Sequence, residues 1–284
     1  MHVTRFGAPR AFLAHAAPFL LQREAEHNLM LGLATELEHN LFLFGSQPYM
    51  AVVENGGRVV AAALLTPPHN LILSHIADDA ALPAIAADLA GFEASPAGVI
   101  ADVDHAEAFA RLWCAPRGLR YRRNTAERIF QLTAVRPPRP VPGSMREATG
   151  EDRALLVEWF ARFNADAAPN NTDFDAERAA DRWLTSPSRS LYLWEAGEPV
   201  SMTGVAGPTP HGIRIGAVYT PPARRRRGYA SALVAAVSQC QLDMGRSFCF
   251  LYTDLSNPTS NHIYQEIGYE PVVDVDEIRF EVDR

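Results

Sequence analysis

The spacing of apolar positions changes along this chain, and the changes mark its elements. Phe12, Phe19, Leu20, Leu29, Met30, Leu33 and Leu37 recur at helical spacing around the polar run Gln22-Arg23-Glu24-Ala25-Glu26-His27. That pattern predicts amphipathic helices. Short apolar runs then replace it: Met50 to Glu54, Val59 to Leu65 and Leu71 to Ser74. Turns at Asn55-Gly56-Gly57 and Thr66-Pro67-Pro68-His69-Asn70 separate them, so they read as consecutive strands. The same order returns later, as Leu191 to Glu195, Val200 to Ala206 and Ile213 to Val218. Its turns are Ala196-Gly197-Glu198-Pro199 and Gly207-Pro208-Thr209-Pro210-His211-Gly212. Each series closes on an extended run, Glu127 to Leu132 and Asp276 to Val282. Helices also precede the second series. Thr149-Gly150-Glu151-Asp152 has the form of a capping box with a short acid. Leu155, Leu156, Trp159, Phe160 and Phe163 follow at helical spacing, and a second helix is expected from near Asp173 through Ala176, Ala179, Ala180, Trp183 and Leu184.

A meander seen twice implies two α/β (α+β) domains, each with a mixed, mostly antiparallel sheet flanked by helices. The proline-rich stretch 137–143 is the natural linker, which assigns 1–136 and 144–284 to the domains. At 284 residues, 48% hydrophobic and 21% charged, the composition is that of a globular protein with a real core.

Charge narrows the function. The formal net charge is -7. From Ser144 onward 14 Arg face 20 Asp and Glu, so attraction to a phosphate polymer would be local. A nucleic-acid partner is not expected. All basic residues are Arg, which is compositional bias. Cys114, Cys240 and Cys249 are far apart and form no metal or disulfide pattern, and the histidines show no ligand spacing, so no metal is expected. The apolar stretch 11–21 lacks a small-residue cleavage site and runs straight into charged residues, and no run has the length of a membrane span. A cytoplasmic protein without a membrane partner is expected.

The most informative segment runs from Val218 to Ala230. A strand-like run stops at Pro221-Pro222, four arginines (Arg224, Arg225, Arg226 and Arg227) and Gly228 follow, and a helical pattern begins at Ala230, Leu233, Val234 and Val237. The first N–H groups of a helix lack partners and carry the positive end of its dipole. Phosphate oxygens satisfy both needs. Gly228 permits close approach to the backbone. On this segment alone, a solvated helix start explains the arginines too. There is no G-x-x-x-x-G-K-[ST] and no G-x-G-x-x-G, which excludes two other phosphate loops. Downstream, Asn257-Pro258 opens a helix that Gly268 closes, with Tyr264 seven residues after Asn257.

Arg225 to Ala230 resembles the [QR]-x-x-G-x-[GA] pyrophosphate signature of the GNAT superfamily of N-acetyltransferases. Asn257, Ser260, Tyr264, Gly268 and Tyr269 resemble its N-x-x-[AS]-x-x-x-Y-x-x-x-G-[FY] segment in register. The repeat resembles tandem GNAT proteins, an architecture shared with mycothiol synthase. The resemblance implies acetyl-CoA as acyl donor and a primary amine as acceptor. It implies that Arg225, Arg226, Arg227, Gly228, Tyr229 and Ala230 bind the diphosphate. Val218, Tyr219 and Thr220 would bind the pantetheine arm through their backbone, on a strand that parts from its neighbour. An N–H at Val218 or Tyr219 would meet the thioester oxygen. Asn257 would orient the arm and Ser260 would fill the small-residue position beside it. Tyr264 would be the general acid. A phenol of pKa ~10 gives its proton to a thiolate of pKa ~8.5 at a cost of about 2 kcal/mol in free solution.

The general base is not legible. The strand 213–220 carries no Asp or Glu, and Asp254, Glu195 and His211 each read equally as turn or surface residues. The polar loop 164–173, with Asp166, Asn170, Asn171 and Asp173, suits a cationic amine or plain solvent. In the first half, Asp78-Asp79 stand where the basic turn stands in the second, and 104–118 lacks a tyrosine at the matching helix position. That half reads as a degenerate GNAT-like domain, either shaping the acceptor cleft or purely structural. The alternative for the whole chain is a catalytically idle acyl-CoA-binding or regulatory module.

Overall fold

The computed structural model describes residues 1–167 and 174–282. The chain divides into two compact units. Unit 1 is Met1–Phe130, Tyr252–Pro258 and Pro271–Arg284, and unit 2 is Gln131–Leu251 and Thr259–Glu270. The expected residues Asn170, Asn171 and Asp173 lie outside the described residues.

Unit 1 begins with β1 (His2–Arg5), α1 (Pro9–Leu20) and α2 (Asn28–His39). β2 (Tyr49–Asn55), β3 (Arg58–Leu65) and β4 (Leu71–Leu73) form the meander. α3 (Ala81–Leu89), β5 (Gly98–Asp102), α4 (Val103–Cys114) and β6 (Leu119–Leu132) complete the first run. Neighbouring strands pair antiparallel from β1 to β4, and β4 pairs β5 in parallel. The strand period of two sorts side chains between two layers. Met50, Val52, Ala62 and Leu64 pack with Phe12, Leu20, Met30 and Leu37 of α1 and α2. Tyr49, Ala51, Val53, Ala61 and Ala63 face Leu82, Ile85, Phe109 and Trp113 of α3 and α4. Both faces are covered, which is why β2 and β3 read as unbroken apolar runs.

Unit 2 repeats the order. β7 (Ser144–Glu147), α5 (Arg153–Ala167) and α6 (Ala176–Thr185) precede β8 (Arg189–Glu195), β9 (Pro199–Ala206) and β10 (Gly212–Tyr219). α7 (Tyr229–Asp243), β11 (Phe248–Asp254), α8 (Pro258–Ile267) and β12 (Glu270–Val282) close the chain. The capping box forms: Thr149 and Asp152 satisfy each other's backbone ahead of α5. Leu156, Trp159 and Phe160 meet Leu191, Leu193 and Met202. α7 covers β8, β9 and β10. The strand order is β11-β10-β9-β8-β7, with β10 and β11 parallel.

The strand order of unit 1 is β1-β2-β3-β4-β5-β12-β6, so most of β12 belongs there although it ends the chain. It pairs antiparallel with β5 and puts Ile278 into the core of that unit. The proline-rich stretch is tied down: Trp194 Nε1 donates to the Pro142 carbonyl at 2.9 Å, and Gly143 at φ +108 lies where a Cβ would collide with Glu195.

Candidate active site

Three local features of unit 2 build the site. The first is the parting of two strands. β10 and β11 pair from Gly212↔Phe248 to Arg214↔Phe250 and no further. Past that point β10 also breaks register with β9, between Gly216 and Tyr219, and Ala217 sits at φ +51. Such a bulge bends the strand and removes backbone groups from the ladder. Two buried hydroxyls of β9 take over part of the pairing. Ser201 Oγ donates to the Tyr219 carbonyl at 3.1 Å and lies 2.8 Å from Thr220 Oγ1. Thr203 Oγ1 donates to the Gly216 carbonyl at 3.1 Å. The sequence held the signal, because Ser201 and Thr203 are two apart and share one strand face, but nothing local said what they would meet.

The second feature is the turn into α7. Arg224 and Arg225 close it by donating their N–H groups to the Pro221 and Pro222 carbonyls. Arg226 lies at φ +61 and Gly228 at φ +84. The first helical bond of α7 is Ala232 N–H to the Gly228 carbonyl at 2.9 Å. The backbone N–H groups of Arg226, Arg227, Gly228, Tyr229, Ala230 and Ser231 make no hydrogen bond among the described residues, and α7 has no side-chain cap. Consecutive unpaired amides at a helix start, with glycine in the left-handed region, form a concave anion seat.

The arginines divide into two pairs. Arg224 bonds Glu198, and Arg225 bonds Asp166 and reaches the Thr220 carbonyl at 2.8 Å. The Arg225 guanidinium also stands 5.8 Å from the centre of the Tyr219 ring. These two brace the turn. Arg226 and Arg227 are exposed and make no ion pair among the described residues. Their charge is available to a ligand.

The third feature is Tyr264 on α8, 7% exposed. Its ring meets Tyr269 edge-on at 6.0 Å, and the Tyr269 hydroxyl lies 2.8 Å from Ser238 Oγ on α7. Burial pushes the Tyr264 phenol up to about 12. Its hydroxyl makes no hydrogen bond among the described residues, so the proton is held and not committed to a protein acceptor.

Val218 and Tyr219 therefore stand on the bulged end of β10 and Thr220 one residue past it, and Arg226 to Ala230 lie on the seat, while the Arg225 amide and guanidinium are already bonded to Pro222, Thr220 and Asp166. Ser260 and Tyr264 are in unit 2, while Asn257 falls in unit 1. Tyr219 points into the α5 and α6 core, where it meets Trp159 at 5.9 Å. Of the carboxylates weighed as bases, Glu195 is bonded to Arg146, and Asp254 accepts the Ser256 N–H at 2.7 Å. Among the described residues, no helix is long and apolar enough to cross a membrane.

The fold has counterparts among solved structures. Residues 198–277 match the family model described as FR47-like protein. The chain is similar over its whole length to the solved structure of a Drosophila melanogaster protein, at 14% identity and TM-score 0.68, with 99% of each chain covered. It is similar to a GCN5-related N-acetyltransferase from Sphaerobacter thermophilus, at 16% identity and TM-score 0.59, covering 99% of this chain and 96% of the other. A GNAT-family acetyltransferase from Colwellia psychrerythraea covers 100% of both chains at 10% identity and TM-score 0.55. No curated protein sequence matches. The chain shares the fold of these structures over nearly its whole length.

Proposed function

We propose that this protein transfers the acetyl group of acetyl-CoA to a primary amine, with the active site in unit 2. The observation that carries the proposal is the row of unpaired amides from Arg226 to Ser231 beside two unpaired guanidinium groups. A diphosphate meets both needs of that seat, neutralising charge and satisfying donors. The bulged end of β10 would hold the pantetheine arm, and an N–H at Val218 or Tyr219 would stabilise the oxyanion. The amine attacks the thioester carbonyl carbon directly. The C–S bond then breaks, and the thiolate takes the Tyr264 proton. The ammonium proton leaves to solvent or to a base that the site residues do not identify. With Tyr264 near 12 and a thiol near ~8.5, the transfer is uphill by about 5 kcal/mol unless the thiolate is desolvated too. A dry cleft around the departing sulfur would supply that condition.

Unit 1 repeats the fold without the seat. After β4, the Ser74 N–H reaches the Ala62 carbonyl, the His75 N–H reaches His27 Nε2 at 2.9 Å, and the Ala77 N–H reaches the Val60 carbonyl. Asp78 takes the Ala80 N–H, at 3.1 Å, and the Ala81 N–H. Internal acceptors thus take five of the N–H groups between Ser74 and Ala81, whereas those from Arg226 to Ser231 are open. We propose that the first half, residues 1–136, carries no acyl-CoA site and that the chemistry comes from residues within 144–284, chiefly those of unit 2.

The test is release of free CoA thiol from acetyl-CoA with a panel of primary amines. Arg226→Glu with Arg227→Glu should raise KM for acetyl-CoA by about tenfold or more, since each lost charge-assisted contact is worth about 1.5–3 kcal/mol. An unchanged KM would contradict the seat. CoA binding without amine-dependent thiol release would favour an idle acyl-CoA-binding module.

A further inference from the structure

Unit 1 holds a groove that the acyl-transfer site does not use. Its volume is about 350 Å³, within the ~300–1,000 Å³ of small-molecule sites. Leu29 and Leu33 of α2, Ile72 of β4 and Ile100 of β5 give it an apolar floor. Glu277 and Arg279 of β12 stand on its rim. They are two apart on one strand, so both point to the same face, and Ile278 between them points into the opposite core layer. Their backbone positions are separated by about 7 Å.

The two charges are prepared differently. Asn70 Nδ2 donates to Glu277 Oε1 at 2.7 Å, and Asn124 Nδ2 donates to Glu277 Oε2 at 3.0 Å. Each oxygen is oriented by a neutral amide, and no cation pairs with the carboxylate among the described residues. Asn70 is seated closely: a Cβ at Gly98 would come within 2.8 Å of its Oδ1. Arg279 makes no ion pair among the described residues. An oriented anion and an unpaired cation, two residues apart on one strand face, thus border one apolar floor.

We propose that this groove binds a small apolar α-amino acid, with its ammonium on Glu277, its carboxylate on Arg279 and its side chain on Leu29, Leu33, Ile72 and Ile100. Charge complementarity selects a zwitterion, and the floor selects an apolar side chain over a polar one. The site is independent of the acyl-transfer proposal, because none of its residues belongs to the unit 2 seat.

The experiment titrates the full chain with L-leucine and L-phenylalanine by calorimetry and by amide NMR shifts. Isoamylamine lacks the carboxylate, isocaproate lacks the ammonium, and L-serine lacks the apolar side chain. Leucine or phenylalanine should bind saturably, with shifts at Leu29, Leu33, Ile72 and Ile100, and each of the three controls should bind about tenfold or more weaker. Arg279→Ala removes an exposed, unpaired side chain and should weaken binding by about the same factor with the fold intact. Glu277→Gln should do likewise. No saturable binding tighter than about 1 mM would overturn the proposal. So would equal binding of isoamylamine or isocaproate, or affinity unchanged in Arg279→Ala.

Discussion

Two buried side chains show how burial sets what a single residue can do. His27 is 3% exposed, lies 2.8 Å through Nδ1 from the Leu20 carbonyl, and accepts the His75 N–H on Nε2. A ring that donates on one side and accepts on the other is neutral, and burial pushes its pKa down to about 4. An unfolded histidine titrates near ~6.5, so as pH falls from 6.5 towards 4 the unfolded chain takes a proton that the folded one refuses. Stability from this residue is full above ~6.5 and falls by about 3 kcal/mol on reaching pH 4. Chemical unfolding at pH 7 and 4.5 should show most of that loss, and His27→Asn should lose less over the same interval. Equal losses would contradict a neutral His27. Tyr264 moves the opposite way, to about 12. Tyr264→Phe should lower kcat by about 100- to 10,000-fold with KM for acetyl-CoA nearly unchanged. The wild-type rate should show no alkaline decline with a midpoint near 10, because the phenol keeps its proton there. Full activity in the variant would remove the acid role.

At the scale of elements, the bulged end of β10 is the part most open to test. Thr203→Val removes the hydroxyl that reaches the Gly216 carbonyl at nearly constant volume. The lost bond is worth about 1 kcal/mol. KM for acetyl-CoA should rise about fivefold, and Thr203→Ser, which keeps the hydroxyl, should restore most of it. An unchanged KM in Thr203→Val would mean that the bulge holds itself. Strand periods, turn residues and the Gly-containing basic turn were legible in the sequence, because each depends on neighbours within a few positions. The repeat, the helices flanking it and the capping box at Thr149 follow from the same local rules. The bracing of Arg225 was not legible, because its partner Asp166 is 59 positions away. Nor was the split of the arginines into two that brace and two that face outward. Ser201 and Thr203 stand out in hindsight as paired hydroxyls on one face of a buried strand.

At the scale of the whole molecule, a sequence pattern does not reveal which compact unit a strand joins. β12 looks like the end of the second half, yet Ile278 sits in the core of unit 1. Long-range pairing decides this, and hydrophobic period carries no information about it. Cutting the chain at the proline-rich stretch would strip unit 1 of that core residue, so stoichiometry is best measured on the full chain. CoA should bind once per chain, and two equal sites would contradict the proposed division of labour. The most direct test of the central claim is an amide NMR titration of the full chain with CoA. The largest shifts should fall on the N–H groups from Arg226 to Ser231. Binding that leaves those amides unmoved and shifts others would contradict the account.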